Sequence, residues 1–329
     1  MKMQPKLEQQ ATSLAPIGVS TYVRLQHLQQ TIEALQKNVL AQQSQLFVFS
    51  DAPRAGDEER VAAVRSYLRT IGGFKEIHVV EREINNRTAN NRGGIRMLLE
   101  QFGKVIFLED DVIALPGFLL FMNEALEFYK DDPRIGSISG YCPPIEIPQE
   151  YSKDVFALTR FVGWGLGLWK RYYKMDTPIS EHAFKKVFND KKKLKDLVRS
   201  LGEEASHIIR MDFKGELDAG DMKTMFWQFM DNKLTIYPRK TLTENIGQDG
   251  SGFHMPVTNK WDVSDIWDKV SGFEFSQVIE VDERILKAHS KFYEIKRGPV
   301  SIIIKLLKII GIYKYIRPIA RRIRTWWQM

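Results

Sequence analysis

Four consecutive apolar β-formers, Val105-Ile106-Phe107-Leu108, run without a break into three carboxylates, Glu109-Asp110-Asp111. An apolar run with no polar alternation fits a strand buried on both faces of a parallel sheet. The three acids then stand where such a strand leaves the core. Unpaired, they would repel one another and resist burial, so they call for water, a cation or positive side chains. Oxygen ligands suit a hard divalent ion, especially one whose shell is completed by substrate phosphates. Open α/β sheets bind ligands at such strand ends, and the plain alternative is a solvated acidic loop. Pro116 then opens an amphipathic helix with Leu119, Met122, Leu126 and Tyr129 on one face, and Asp131-Asp132-Pro133 closes it.

Upstream, the chain alternates strand and helix. Residues 16–22, 46–49 and 77–80 read as short strands. Between them, Leu28, Ile32, Leu35 and Val39 fall at helical spacing, as do Val61, Val64, Leu68 and Ile71, stopped by Gly72-Gly73. Ile95, Leu98, Leu99 and Phe102 mark a third helix ahead of the acidic strand. This alternation builds an α/β fold with a parallel sheet and right-handed crossovers. Arg24, Asp51 and Glu109-Asp110-Asp111 then share the carboxyl ends of the strands. Neither G-x-G-x-x-G nor a Walker loop follows the first strand, which argues against a dinucleotide dehydrogenase or a P-loop enzyme. Gly163-Trp164-Gly165-Leu166-Gly167 has the glycines but follows no clear strand of a βαβ unit.

Beyond Pro133 the regularity fades. Residues 134–140 and 234–237 read as strands, 185–199 as a basic helix with a solvated face, and 218–229 as a further segment before the last strand. Residues 245–254 form a Gly-rich loop carrying Asp249 and His254.

The formal charge is +7, yet nine Lys and Arg residues follow the last acid, Glu294, which leaves −2 on residues 1–294. The basic character therefore belongs to a tail, and a broadly cationic nucleic-acid surface is not expected. The single cysteine, Cys142, allows no intrachain disulfide and points to a reducing compartment. Residues 1–14 read as a polar, disordered leader without the apolar core of a signal peptide. Residues 300–316 are strongly apolar but interrupted by Lys305, Lys308 and Lys314, which a spanning helix would have to bury. With Arg317, Arg321, Arg324 and Trp326-Trp327, the 296–329 segment reads as a basic amphipathic tail lying on an anionic membrane; a helix docked on the body is the alternative.

Together these residues resemble a GT-A glycosyltransferase, nearest to bacterial family-2-like sugar transferases and more distantly similar to N-acetylglucosaminyltransferase I. The resemblance spans about residues 15–254. It implies a Rossmann-like, mostly parallel sheet flanked by helices over residues 15–295. The nucleotide-binding half would be about 15–140 and the acceptor half about 141–295. Phe107-Leu108-Glu109-Asp110-Asp111 resembles the DXD motif in an E-D-D form. That implies Asp111 on Mn2+ or Mg2+, with Glu109 and Asp110 on ribose or donor sugar. Tyr22-Val23-Arg24 and Ser50-Asp51 match nucleotide-binding strand ends, Asp51 at the base, and Asn91-Arg92-Gly93 resembles an N-x-G stretch ahead of the acidic strand. Gly163-Trp164-Gly165 is similar to the loop lining donor and acceptor sugars. Asp221, six residues before Trp227, resembles the catalytic base of inverting members, although Gly220-Asp221 stands where many carry Glu-Asp. Asp218 and Glu216 remain as alternatives. His254, in the terminal loop, would join the metal. Trp164, Trp169, Tyr172 and Trp227 are available to stack on sugar faces.

The chemistry agrees with the resemblance. A leaving diphosphate is stabilised by a divalent Lewis acid, and an acceptor hydroxyl loses its proton to a carboxylate on the opposite side. Direct displacement inverts the anomeric centre. The expectation is a cytoplasmic enzyme, peripheral at the inner membrane face, that moves a sugar from a nucleotide-sugar donor, a UDP-sugar by resemblance. Its acceptor would be a glycan, lipid-linked in keeping with the tail. Two rivals stand beside it. A sugar nucleotidyltransferase would want a Gly-rich, Arg- and Lys-bearing loop where Ser20-Thr21-Tyr22-Val23 stands. A non-catalytic membrane-surface module would have no use for the acidic triplet or Asp221.

Overall fold

The computed structural model describes residues 14–251 and 258–295. His254, residues 1–13 of the leader and the whole 296–329 tail lie outside the described residues. In chain order the elements are β1 Ile17–Thr21, α1 Leu25–Gln36, β2 Gln45–Ser50, α2 Glu58–Leu68, β3 Glu76–Glu81, α3 Arg87–Phe102, β4 Lys104–Glu109 and β5 Val112–Ala114. Then come α4 Phe118–Phe128, β6 Ile135–Ser139, β7 Val155–Leu158, β8 Leu166–Trp169, α5 Glu181–Phe188, α6 Lys191–Leu201 and α7 Glu203–Phe213. The last are α8 Gly220–Met230, β9 Leu234–Pro238, β10 Thr243–Asn245 and α9 Glu283–Phe292.

Eight strands form one mixed, mostly parallel sheet in the order β3-β2-β1-β4-β8-β6-β9-β7, flanked by helices. β1 runs parallel to both β2 and β4, with Ser20 opposite Glu109. The chain therefore winds outward from β1 to β3 and returns to the other side of β1 at β4. A crevice opens outside the strand ends at such a reversal. β8 enters antiparallel between β4 and β6. β5 pairs with β10 in a separate antiparallel ribbon, which brings Asn245 opposite Val112.

The continuous apolar run of β4 has a direct cause, because its side chains feed two cores in turn. Ile106 and Leu108 join Ile17, Val19, Leu28, Ile32, Leu119 and Met122 on one face of the sheet. Val105 and Phe107 join Phe47, Phe49, Ile95, Leu98 and Phe226 on the other. Burying four such side chains contributes roughly 1.5–3 kcal/mol each, and that anchors the point where the acids begin.

Several expectations are corrected here. Val39 and Ile71 lie beyond the ends of α1 and α2, and Val39 is exposed. The basic stretch at 185–199 is two helices, because the Asp190 carboxylate accepts from the backbone N–H of Lys192 and Lys193 and starts α6 afresh. The 163–167 glycines belong to a turn into β8. Gly165 sits at φ +87, and a Cβ there would lie 2.8 Å from Phe118, so the position needs glycine for its backbone. Trp169 and Tyr172 are core residues. No helix among the described residues is long and apolar enough to cross a membrane.

Candidate active site

The acids at the end of β4 are held by the strand next to them. Thr21 Oγ1, at the end of β1, donates to Asp110 Oδ2 at 2.9 Å, and the Tyr22 N–H donates to the same oxygen at 3.4 Å. Arg24 places Nη2 between two carboxylates, pairing with Asp110 Oδ1 and, at 2.8 Å, with Asp111 Oδ2. Thr31 Oγ1 on α1 donates to the Asp110 carbonyl at 2.9 Å. Asp110 is therefore turned into the fold and serves to lock Arg24. The resemblance had Asp110 and Arg24 reaching for the donor; here they bind each other.

Asp111 is covered by the start of the Gly-rich loop. Asn245 Nδ2 donates to Asp111 Oδ1 at 3.2 Å, and the Ile246 N–H donates to the Asp111 carbonyl at 2.9 Å. Gly247 presses so close that a Cβ would lie 2.0 Å from Asp111 Oδ2 and 3.0 Å from Arg24 Nη1. Only a glycine allows this approach. Arg24 Nη1 is itself buried without a partner among the described residues.

Glu109 is exposed at the end of β4, where Asn91 Nδ2 bridges it to Ser20 Oγ at 3.4 Å each. Partial desolvation by the surrounding protein and repulsion from Asp111 and Asp110 push its carboxyl up to about 7 against the pull of Arg87 and Arg24. Burial also raises Asp110, and outweighs the opposing Arg24. Asp110 and Asp111 thus share the Arg24 guanidinium in direct contact, and Glu109 feels Arg87 and Arg24 as nearby charges. Among the described residues no group of three His, Cys, Asp or Glu side chains has metal-holding geometry. The donor chemistry nevertheless fits a hard divalent ion: all-oxygen ligands, with more negative charge than Arg24 neutralises. Asp111 and Glu109 are the residues that would hold it.

Asp221 stands exposed in the first turn of α8, its carboxylate unpartnered among the described residues. Asp218 is instead pinned, with Arg92 Nη2 and Lys223 Nζ each at 2.6 Å, and these partners lower its pKa against the opposing effect of burial. Glu216 is exposed, 4.0 Å from Lys214. Arg92, expected at the donor, also reaches the Met175 carbonyl and Asp176. It ties α3 to the segment that begins α8. Asn91 and Arg92 are neighbours, so one helix carries both the contact to Glu109 and the clamp on Asp218.

Asp51 is buried and committed locally. Its Oδ1 accepts from the N–H groups of Ala52 and Asn86 at 2.9 and 3.0 Å, and its Oδ2 from Asn85 Nδ2 at 3.3 Å. It shapes the entry to α3. Trp164 is half-buried and packs edge-on against Tyr141 and Trp261, with centroids at 4.8 and 5.3 Å. Trp227 donates to the Thr177 carbonyl at 3.2 Å. The structure therefore brings Arg24, Asp110 and Asp111 into direct contact, sets Glu109 beside them on Asn91, and links the group through α3 to Arg92 and the start of α8. Among the described residues, Asp51 and Trp164 show no hydrogen bond or ion pair to that cluster. Asn91, Asn245 and Gly247 are site-forming residues whose individual roles the sequence did not disclose. Their only signal was that they fell within the N-x-G stretch and the Gly-rich loop.

No protein-family description matches the sequence, and no curated protein matches it either. Partial likenesses to solved structures exist. A mannosyltransferase from Pyrobaculum calidifontis, in complex with GDP-Man and Mn2+, is 14% identical over 66% of this chain and 69% of that one, with a TM-score of 0.39. Residues 1–349 of S. aureus TarS are 13% identical over 70% of this chain and 59% of that one, also with a TM-score of 0.39. Against a longer TarS chain the match spans 44% of this chain and 24% of that one, at 13% identity and a TM-score of 0.30.

Proposed function

We propose that this chain is a glycosyltransferase: it moves a sugar from a nucleotide-sugar donor, a UDP-sugar by resemblance, to a hydroxyl of a glycan acceptor. The observation that carries this reading is the acidic cluster at the ends of β1 and β4, where Glu109 and Asp111 are only partly neutralised by Arg24 and α3 leads to the carboxylate of Asp221, unpartnered among the described residues. Mn2+ or Mg2+, held by Asp111 and Glu109, would supply Lewis-acid stabilisation of the donor diphosphate. Arg24, paired with both Asp110 and Asp111, fixes the direction of the two carboxylates. Asp221 accepts the proton of the acceptor hydroxyl, for which an exposed, unpaired carboxylate is suited. Asp218 is a poor base, because two cations hold it ionised. Displacement with the base and leaving group on opposite faces inverts the anomeric centre. The 296–329 segment fits a lipid-linked acceptor at the cytoplasmic face of a membrane.

The test is a screen of nucleotide sugars for Mn2+-dependent hydrolysis and thermal stabilisation, followed by transfer assays. Asp221→Asn should keep donor affinity and lower transfer on the order of 100-fold, while Asp218→Asn should retain turnover. No divalent-dependent donor binding in the wild type would overturn the reading, and the reverse pattern of the two variants would move the base to Asp218.

A further inference from the structure

Helices α6 and α9 pack against each other, and both turn a cationic stripe outward. Leu194, Leu197 and Leu201 direct α6 into the core, as Ile285, Leu286 and His289 direct α9. The helical repeat then sets Lys192, Lys195, Asp196 and Arg199 along the exposed side of α6, and Glu283, Lys287 and Lys291 along that of α9. An ion pair between Arg199 and Glu283 joins the two stripes into one face. It also cancels those two charges. Lys191, Lys192, Lys195, Lys287 and Lys291 make no ion pair among the described residues.

Helix α6 carries a formal +4 and α9 +2, with Asp190 and Asp282 capping their starts and Glu294 following α9. An outward array of cations without ion-pair partners is drawn to, and oriented by, an anionic plane. The cations also indicate what kind of partner fits. Lysines are flexible point charges, whereas bidentate recognition of a discrete phosphate favours arginine, and the one arginine of the α6 stripe is consumed by Glu283. A diffuse anionic surface suits such an array better than a defined phosphate ester. The chain also leaves the domain beside this face. The Ile295 N–H donates to Glu203 Oε2 at 3.2 Å, and the Glu204 N–H to the Tyr293 carbonyl at 3.4 Å, fixing the end of α9 at the start of α7. From there the sequence continues into residues 296–329, which hold nine Lys and Arg residues and no acid.

We propose that the α6–α9 lysine face is an electrostatic docking surface for anionic lipid headgroups, which orients the folded domain on a membrane. It deepens the membrane reading given above and rests on it for the choice of partner. The face acts separately from the tail.

The test uses the full chain and vesicles of phosphatidylcholine with and without phosphatidylglycerol. Each lysine near an anionic surface contributes about fivefold in partitioning. The quadruple variant Lys192→Glu, Lys195→Glu, Lys287→Glu, Lys291→Glu should therefore bind anionic vesicles more weakly by on the order of 1,000-fold or more. Binding to neutral vesicles should not change. The corresponding four Gln substitutions, with circular dichroism and melting of both variants, separate charge from misfolding. Residual binding of a chain ending at Ile295 should be salt-sensitive and abolished by the same reversals. If the tail reading fails and this one holds, truncation leaves binding intact and the reversals remove it. Wild-type partitioning by the reversed chain overturns the proposal. So does an absence of anionic-vesicle binding in the wild type, or tighter binding to soluble polyphosphate than to vesicles, which would assign the face to a polyanionic acceptor.

Discussion

Replacing Arg24 by methionine tests whether the acidic triplet is a cation site. Methionine keeps an unbranched apolar stem and deletes the charge. Asp111 would lose the 2.8 Å ion pair and retain only Asn245 Nδ2 at 3.2 Å; Asp110 would retain Thr21 Oγ1 and the Tyr22 N–H. Removing one partner of a buried pair costs roughly 3–5 kcal/mol through the charge left behind. The side chain of Arg24 is 16% exposed and those of Asp110 and Asp111 are 5% and 9% exposed. Some water therefore reaches the pair, and the lower end, about 3 kcal/mol, is expected. For a domain of this size that corresponds to a melting temperature lower by on the order of 10 °C. Mn2+ should then stabilise the variant more than the wild type, because it restores the charge that was removed. Differential scanning fluorimetry at fixed pH and salt, with and without Mn2+, reads both effects. An unchanged melting temperature, or equal stabilisation of both proteins by Mn2+, would refute the charge argument.

The loop over Asp111 gives the next prediction. Gly247→Ala should lower Mn2+-dependent donor binding sharply while costing only about 1–3 kcal/mol in stability, since a Cβ at 2.0 Å from Asp111 Oδ2 must move the loop or the carboxylate; calorimetric titration beside thermal melting checks the split, and normal donor affinity would count against it. Acid stability tests the far side of the domain. Burial, with some help from Arg160, depresses the pKa of His289 to about 3, below its ordinary 6.5. A base depressed in the folded state adds stability that is complete above pH 6.5 and is lost as pH falls toward 3, at up to about 1.4 kcal/mol per pH unit. Both ring nitrogens lack partners among the described residues, so His289→Phe should match the wild type at neutral pH and flatten that slope. Urea melts across the range would show an unchanged slope if His289 is not responsible.

Legibility in the sequence tracked how local each feature is. β4 and its acids were readable because strand and triplet are contiguous and because both faces of β4 are buried. The β1–β3 and α1–α3 units were readable because apolar spacing within each unit suffices. β7 and β8 are four residues each, flanked by irregular chain, and their apolar runs are too short to separate from a turn. The break between α5 and α6 was hidden by lysines on both sides; the Asp190 cap was its one sign. The acids called for a cation, and the sequence could not say that a side chain 86 residues upstream supplies part of it. Asp51 shows the same limit. A strand-end aspartate reads as a ligand contact, and its real partners, Asn85 and Asn86, become visible only once the chain is folded.

Arg92 settles how the parts of the site keep their relative positions. Its Nη1 is directed to the Met175 carbonyl and Asp176, and its Nη2 to Asp218. A Cβ at Gly220 would lie 2.7 Å from its Nε, so the start of α8 is packed directly on the guanidinium. A side chain so engaged is not available to grip a donor phosphate without releasing α8. Under the proposed function, its place would be one of positioning. Asn91, the residue before it, meets Glu109, and both sit in the early turns of a sixteen-residue helix packed on the sheet. The separation between acidic triplet and candidate base is thereby set by a rigid element, which holds a reacting geometry more closely than a loop does. Asp221 needs no partner of its own, because three residues before it the chain is already anchored at Asp218.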